Sequence, residues 1–81
     1  MIRGGSSGLS RQERAVFVGL AAGHSTEQIA DDLGVSPHTV RTHVKNGMRK
    51  LAARTRAQAV AIALSEGAIE LAPRGEEQEV A

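Results

Sequence analysis

The feature that most constrains the fold is a helix-start signal that occurs four times between residues 10 and 55. Three of these signals are a Ser or Thr followed three residues later by Glu or Gln, the capping box that satisfies free backbone N–H groups at a helix N-terminus. The fourth is a Ser before a Pro, and proline suits the first helical position. The signals are Ser10 with Glu13, Ser25 with Gln28, Ser36 with Pro37, and Thr55 with Gln58. Starts this close together leave room only for short helices, so the chain is predicted to be all-α.

Apolar residues at helical spacing follow each start, and glycines mark three of the ends. The predicted helices cover residues 11–22, 26–33, 36–51 and 56–66. Gly23 is expected to end the first helix in a left-handed conformation, and Gly34 and Gly67 stand at corresponding places later in the chain. No segment alternates with the period of a strand. The predicted fold is therefore a four-helix bundle.

Length and composition limit the chain to one small domain. A chain of 81 residues can build a single core of marginal size. It has no cysteine, a net charge of +1, and neither an apolar run long enough to span a membrane nor the apolar core of a signal peptide. We therefore predict a cytoplasmic protein without a membrane partner. Its predicted parts are a flexible leader at residues 1–8, a folded domain at residues 9–71, and a disordered acidic tail at residues 72–81.

The third predicted helix has an apolar side and a basic side. Taking roughly 100° per residue and Val40 as the origin, the apolar residues lie within about 80° and the polar ones between about 100° and 200°. The apolar set is Val40, Val44, Met48 and Leu51, and the polar set is His38, Arg41, Thr42, Lys45 and Arg49. From residue 33 to residue 65 the chain has six Lys or Arg and no Asp or Glu. An ordinary solvated surface usually mixes both signs, whereas this imbalance suits a polyanion, and a helix fits the major groove of DNA.

The second and third predicted helices are joined by a three-residue turn, Gly34-Val35-Ser36, which is the layout of a helix-turn-helix. Ala30 allows the two helices to approach closely, and Gly34 can take a positive φ at the turn. A generic helical hairpin also favours a glycine in its turn. It does not need this alanine and glycine at these offsets together with a basic outer face.

The fourth predicted helix is apolar on two sides. One side carries Ala57, Val60, Ala61 and Leu64, and the other carries Ala59, Ile62 and Ala63. A surface helix needs only one apolar side, so the second side is a candidate partner face, with alanine-rich filler as the alternative. The spacing leaves open which side faces the domain.

The chain resembles the DNA-binding domain of the LuxR/NarL family of transcription regulators over about residues 9–69. The resemblance lies in the order of residues in LSRQERAVFVGLAAGHSTEQIADDLGVSPHTVRTHVKNGMRKL, followed by TRAQAVAIAL. Its most specific parts are Leu9-Ser10 with Glu13, Ile29-Ala30, Ser36 with Thr39-Val40, His43-Val44, Lys50-Leu51, and Arg56 with Gln58-Ala59. It implies that the third helix enters the major groove and that the domain binds double-stranded DNA as a dimer through the fourth helix. RNA polymerase is a further candidate partner.

The resemblance also implies roles for individual residues. Base contacts are expected from Arg41, Thr42 and Lys45, and backbone contacts from Ser36, Thr39, His43 and Lys50. His38 and Arg49 are candidates for additional DNA contacts. The expected dimer interface contains Val60, Ala61, Ile62 and Leu64.

The sequence departs from the family pattern at four places. Gln12 and Gln28 replace a common Arg and Glu, with at most small consequences at the surface. Gly47 replaces a bulky aliphatic residue in mid-helix, so we expect a cost of roughly 1 kcal/mol relative to Ala, lost packing, and a loose second half of the third helix. Ala52 and Ala53 replace a usual Gly-Val pair, which makes the exit from that helix less well defined than its entry.

The residue pattern gives no support for metal, cofactor or catalytic chemistry. His24 belongs to a turn, and His38 and His43 lie about 140° apart around one helix, so we predict no metal site. Asp31 and Asp32 are expected on an exposed helix face, and no serine is paired with both a base and an apolar cleft, so we predict neither an enzyme nor a cofactor. Two other readings remain: a promoter-reading domain like that of sigma factors, and a helical protein-binding module that does not bind DNA.

Overall fold

The computed structural model describes residues 8–71 and folds them into four α-helices. Helix α1 covers Arg11–Ala21, α2 covers Thr26–Leu33, α3 covers Pro37–Lys50 and α4 covers Arg56–Ser65. No strand occurs within these residues. The all-α, four-helix prediction is confirmed, and each predicted helix end is correct to within one residue. The predicted leader, apart from Gly8, and the predicted tail lie outside the described residues.

The helix starts are held by the side chains that the sequence indicated. The hydroxyls of Ser10 and Ser25 each accept a backbone N–H three residues on, at 3.1 Å. The side chains of Glu13 and Gln28 accept the backbone N–H of those serines at 2.8 Å, which completes two capping boxes. At α3, Ser36 accepts the Thr39 N–H at 3.1 Å.

Only one of the two hydrogen bonds of the third predicted capping box, at the start of α4, is present. The Thr55 hydroxyl accepts the backbone N–H of Gln58 at 3.0 Å, as expected. The Gln58 side chain, however, accepts the N–H of Arg54 at 2.6 Å instead of the N–H of the capping residue. The glutamine therefore fixes the chain one residue before the helix cap.

The core lies between α1, α2 and α3, and α4 closes it from the side of α1 and α3. Its fully buried large side chains are Val16, Phe17, Ile29 and Val40. Gly34 has φ 71° in the turn between α2 and α3, and the following Val35 N–H donates to the Ala30 carbonyl at 3.0 Å. This turn sets the angle at which α3 leaves α2.

Gly47 does not leave the gap that was expected at this position. It is buried, and the space beside it is filled. A Cβ added at this position lies 2.8 Å from Cζ of Phe17, and still closer to Cε2 of the same ring. The helix continues without a break from Pro37 to Lys50. The expected loss of packing is therefore wrong: the ring of Phe17 occupies the volume that a larger residue at position 47 would need. The loosening of the second half of the helix stays a prediction.

The exit from α3 uses a left-handed alanine. Ala52 has φ 56°, a conformation that glycine adopts without strain. Its N–H donates to the Arg49 carbonyl at 3.1 Å, and the Ala53 N–H donates to the Met48 carbonyl at 2.9 Å. These bonds satisfy carbonyls in the last turn of α3, so the helix ends in an ordered turn.

The segment after α4 folds back onto the core. Ala68 and Ile69 are buried, and both of their N–H groups donate to the Ala63 carbonyl, at 2.8 Å and 3.3 Å. Leu71, two residues further on, does not join them, since that side chain is 58% exposed. Among residues 8–71, no helix combines the length and the apolar character needed to cross a membrane.

Candidate nucleic-acid interface

The polar side of α3 is free of the rest of the domain. Its five members are all exposed, and they are referred to here as the outer face of α3: His38, Arg41, Thr42, Lys45 and Arg49. Val40 and Val44, on the other side of the helix, are 0% and 4% exposed. The helix is thus anchored by its valines while the outer face is presented to solvent.

The basic residues of the outer face carry uncompensated charge. Within residues 8–71, none of Arg41, Lys45 and Arg49 forms an ion pair. The neighbouring helix α2 carries acidic side chains, Asp31 and Asp32 among them, and both of these are exposed. Cations without local partners are available to phosphates and base edges, which is what binding to a polyanion requires.

The expected backbone-contacting residues at the start of α3 lie beside the outer face. Ser36 is exposed, and Thr39 and His43 are half-buried. Besides capping the helix, the Ser36 hydroxyl donates to the Thr39 hydroxyl oxygen at 3.1 Å. The hydroxyl hydrogen of Thr39 remains available to an acceptor such as a phosphate oxygen.

Lys50 differs from the other cations because it already has a partner. Its Nζ lies 2.8 Å from Oε1 of Glu13, whose side chain is 6% exposed, while the Lys50 side chain is 35% exposed. The same carboxylate oxygen also accepts the Ser10 N–H at 2.8 Å. The pair therefore ties the start of α1 to the end of α3, and Lys50 brings less uncompensated charge to the surface than the predicted role assumed.

The environment of Glu13 favours its charged form. Burial alone raises the pKa of this carboxyl, but hydrogen bonds from Lys50 and from Ser10, together with the Lys50 charge, outweigh burial and lower the pKa below its ordinary value. Sequence reasoning named Glu13 only as a capping residue and missed the pair. No short-range signal joins residues that are 37 positions apart.

The two apolar sides of α4 are now distinguished. Ala59 and Ala63 are both 0% exposed and face the core. On the opposite side, Ala57 and Ala61 are exposed and Val60 and Leu64 are half-buried. We call this second side the outer side of α4. Ile62, which belongs to the expected dimer interface, is half-buried like Val60 and lies at the opposite border of the core-facing side. The exposed outer side is the surface left for a partner, and the interface itself stays a prediction.

The three histidines do not come together. His24, in the turn after α1, lies 3.9 Å from Asp32, while His38 and His43 are on α3. Across residues 8–71, no group of three or more His, Asp or Glu side chains is placed to hold a metal ion.

A helix-turn-helix whose second helix presents exposed cations defines a DNA-binding domain. Comparison with known proteins identifies the family. The model of the bacterial regulatory proteins of the luxR family matches residues 7–63. The chain belongs to this family, and it is a DNA-binding domain of a transcription regulator.

Individual relatives agree with this assignment. Over 63 residues the chain is 43% identical to the spore germination protein GerE of Bacillus subtilis, covering 78% of this chain and 85% of that protein. It is 45% identical over 58 residues to the probable transcriptional regulatory protein NarL of Mycobacterium tuberculosis, covering 72% of this chain and 27% of that protein. For the transcriptional regulatory protein FixJ of Rhizobium meliloti the identity is 41% over 59 residues, covering 73% of this chain and 29% of that protein. The chain therefore spans most of GerE but less than a third of the two longer regulators.

A solved structure shows the same fold. The structure of the transcription factor GerE superimposes with a TM-score of 0.74 at 35% identity, covering 76% of this chain and 92% of that chain. A match over 76% of the chain is longer than the whole segment that precedes α4. The similarity therefore includes the helix-turn-helix and extends into the helix that follows it.

Proposed function

We propose that this domain regulates transcription by binding specific sequences in double-stranded DNA, with the outer face of α3 in the major groove. The observation that carries the proposal is the exposed outer face with Arg41, Lys45 and Arg49, none of which forms an ion pair within residues 8–71. Since its target is chromosomal DNA, the proposed location is the cytoplasm. The domain is proposed to bind without catalysing a reaction.

The proposed roles follow from position on α3. Arg41, Thr42 and Lys45 contact base edges, because they project from the exposed side and arginine and lysine match the acceptors of guanine. Residues beside the outer face contact the DNA backbone and fix the register of the helix. These are Ser36, Thr39, His43 and Lys50. His38 and Arg49, within the outer face, are proposed as additional DNA contacts.

The proposed binding unit is a dimer formed through the outer side of α4. One copy presents a single helix to the groove and covers only a few base pairs, which carries little information against the many competing sites of a genome. A symmetric pair doubles the contacts. The exposed Ala57 and Ala61, flanked by Val60 and Leu64, form an apolar strip that is continuous along α4 and suits a second copy of itself.

The proposal is tested by selecting bound sequences from a random pool of duplexes. We expect a recovered motif with two related half-sites. Affinity for the best sequence should fall steeply with salt: with about four to six phosphate contacts, log K changes by roughly 0.9 per contact for each unit of log salt. Recovery of no motif, together with binding that is flat between low and physiological salt, contradicts the proposal.

The same experiment separates the proposal from its rivals. A sigma-like promoter-reading domain selects an asymmetric sequence without a repeated half-site, and a protein-binding module selects no sequence. RNA polymerase stays a predicted partner, to be tested once a motif and a promoter containing it are known.

A further inference from the structure

Thr42 lies on the side of α3 that faces away from the domain. The buried residues of this helix are Val40, Val44 and Gly47. Taking roughly 100° per residue, the centre of that buried side lies near Val40, and His38, Thr42 and Arg49 all lie about 160° to 180° from it. In the proposed docking, the side opposite the buried one lies deepest in the groove. Thr42 is therefore one of the three residues that face the base pairs most directly, and it has the shortest side chain of the three.

The hydroxyl of Thr42 is already engaged. Its Oγ1 donates to the backbone carbonyl of His38, one turn earlier, at 3.2 Å. A hydroxyl has a single hydrogen, so none is left to donate to a base. The oxygen is also directed along the helix towards its N-terminus, because its acceptor lies four residues earlier. The methyl group occupies another staggered position on the same carbon and is the part of the side chain that is not tied to the helix.

The exposed neighbours of Thr42 on the helix surface are longer and polar. They are His38, four residues before, and Lys45, three residues after. Long side chains can reach base edges or phosphates to either side. The short Thr42 makes contact only where α3 itself approaches the floor of the groove, and there it presents an apolar group. In the major groove the apolar group is the 5-methyl of thymine.

We propose that the methyl group of Thr42 packs against the 5-methyl group of a thymine and selects that base beneath the middle of α3. This inference rests on the proposed function, since it assumes that α3 lies in the major groove. It adds the chemistry by which one base is read: an apolar contact between two methyl groups, with Arg41 and Lys45 supplying the polar contacts around it.

The test measures the binding of wild type and of two variants, Thr42→Ser and Thr42→Val, to duplexes that carry either thymine or uracil at one position. Selection from the random pool by wild type and by Thr42→Ser identifies the base pair whose preference depends on residue 42. Duplexes are then made with thymine or with uracil at that base, which differ only in the 5-methyl group. Thermal unfolding of each variant controls for folding, which should be unaffected because Thr42 is exposed.

Wild type should bind the uracil duplex about fourfold more weakly than the thymine duplex, because one buried methyl group is lost. Thr42→Val keeps a methyl and loses the hydroxyl, so it should still select thymine and show the same relative loss of affinity with uracil as wild type does. Thr42→Ser keeps the hydroxyl and loses the methyl. It should bind the thymine duplex about fourfold more weakly than wild type and should not distinguish thymine from uracil.

Two results overturn the inference while leaving the proposed function in place. One is a Thr42→Val variant that selects a different base, which shows that the hydroxyl does the reading. The other is a Thr42→Ser variant that distinguishes thymine from uracil as well as wild type does. If wild type selects no motif at all, the proposed function fails and the inference fails with it.

Discussion

The charge on Lys50 and the charge on Lys45 have different consequences, although both belong to α3. Lys45 is exposed and, among the described residues, has no acidic partner, whereas Lys50 is held by the buried carboxylate of Glu13. Removing Lys45 takes away a group that can reach DNA and leaves the fold intact. Removing Lys50 also leaves a buried carboxylate without its cation, which is costly for folding.

Replacing Arg41 or Lys45 by Ala should weaken binding to the selected site by about 1 to 3 kcal/mol and relax the preference at one base position. Lys50→Ala removes the same charge, and it should weaken binding to all sequences alike and lower the midpoint of urea unfolding. Binding is measured on the selected site and on an unrelated duplex of equal length. If the motif selected by Arg41→Ala and Lys45→Ala equals that of wild type, the base-reading assignment is wrong.

Glu13 should make folding stability depend on pH in the acid range. Its pKa is lowered in the folded state, so its contribution is fully present above the pKa of the unfolded chain, about 4.3. The contribution is lost as pH falls through the lower, folded-state pKa. Urea unfolding between about pH 3 and 6 should therefore show a smaller pH dependence for Glu13→Gln than for wild type. Glu70→Gln, at an exposed carboxyl, is the control and should keep the wild-type pH dependence.

At the scale of single helices, the contact between α1 and α3 is controlled by Gly47 and Phe17. Gly47→Ala should destabilise the domain even though Ala is the better helix former by about 1 kcal/mol, because the added Cβ collides with a buried ring. Phe17→Leu should open space for that carbon. The double variant Phe17→Leu with Gly47→Ala should be more stable than the sum of the single effects predicts. Additive effects on the free energy of unfolding would show that the two positions are not coupled.

The end of α3 offers a stabilising change. Ala52 is left-handed, and replacing it by Gly should raise the free energy of unfolding by about 0.5 to 1 kcal/mol, since the strain removed exceeds the added entropy of the unfolded chain. Ala22 ends α1 with φ −82° and is the matched control. Ala22→Gly should lower stability, because no strain is relieved there. Thermal unfolding of the two variants distinguishes the effects by their sign.

The helices could be predicted from the sequence because each start is set by residues three positions apart. Ser10 with Glu13 and Ser25 with Gln28 are local signals, and both capping boxes form as expected. The exposed side of α3 followed from periodicity in the same way. What could not be predicted depends on contacts between helices: the ring of Phe17 over Gly47 joins residues thirty positions apart, and its fit is a matter of volume that no spacing records.

At the scale of the whole molecule, the outer side of α4 should determine the number of copies bound. Ala61→Arg places a charge at the centre of the exposed apolar strip, so it should leave the domain folded but reduce affinity for a two-half-site duplex towards that for a single half-site. Ala63→Arg buries the same charge and should unfold the domain. Analytical ultracentrifugation with and without DNA measures the change in assembly.

Ala22→Arg controls for the added positive charge, because it places the same side chain at an exposed site outside α4. It should retain the wild-type preference for two half-sites over one. If Ala61→Arg also kept the wild-type preference for two half-sites over one, the outer side of α4 would be excluded from pairing.

The contact between Gly47 and Phe17 also limits how binding preference can be exchanged among relatives. A recognition helix transplanted whole from a protein with a bulky aliphatic residue at position 47 brings that side chain into the space of the Phe17 ring. The chimaera then misfolds for reasons unrelated to DNA. Residues of the outer face have no such dependence, since they are exposed. Retargeting this domain should therefore proceed by grafting individual exposed side chains onto the native α3, or by moving α1 and α3 together as a matched pair.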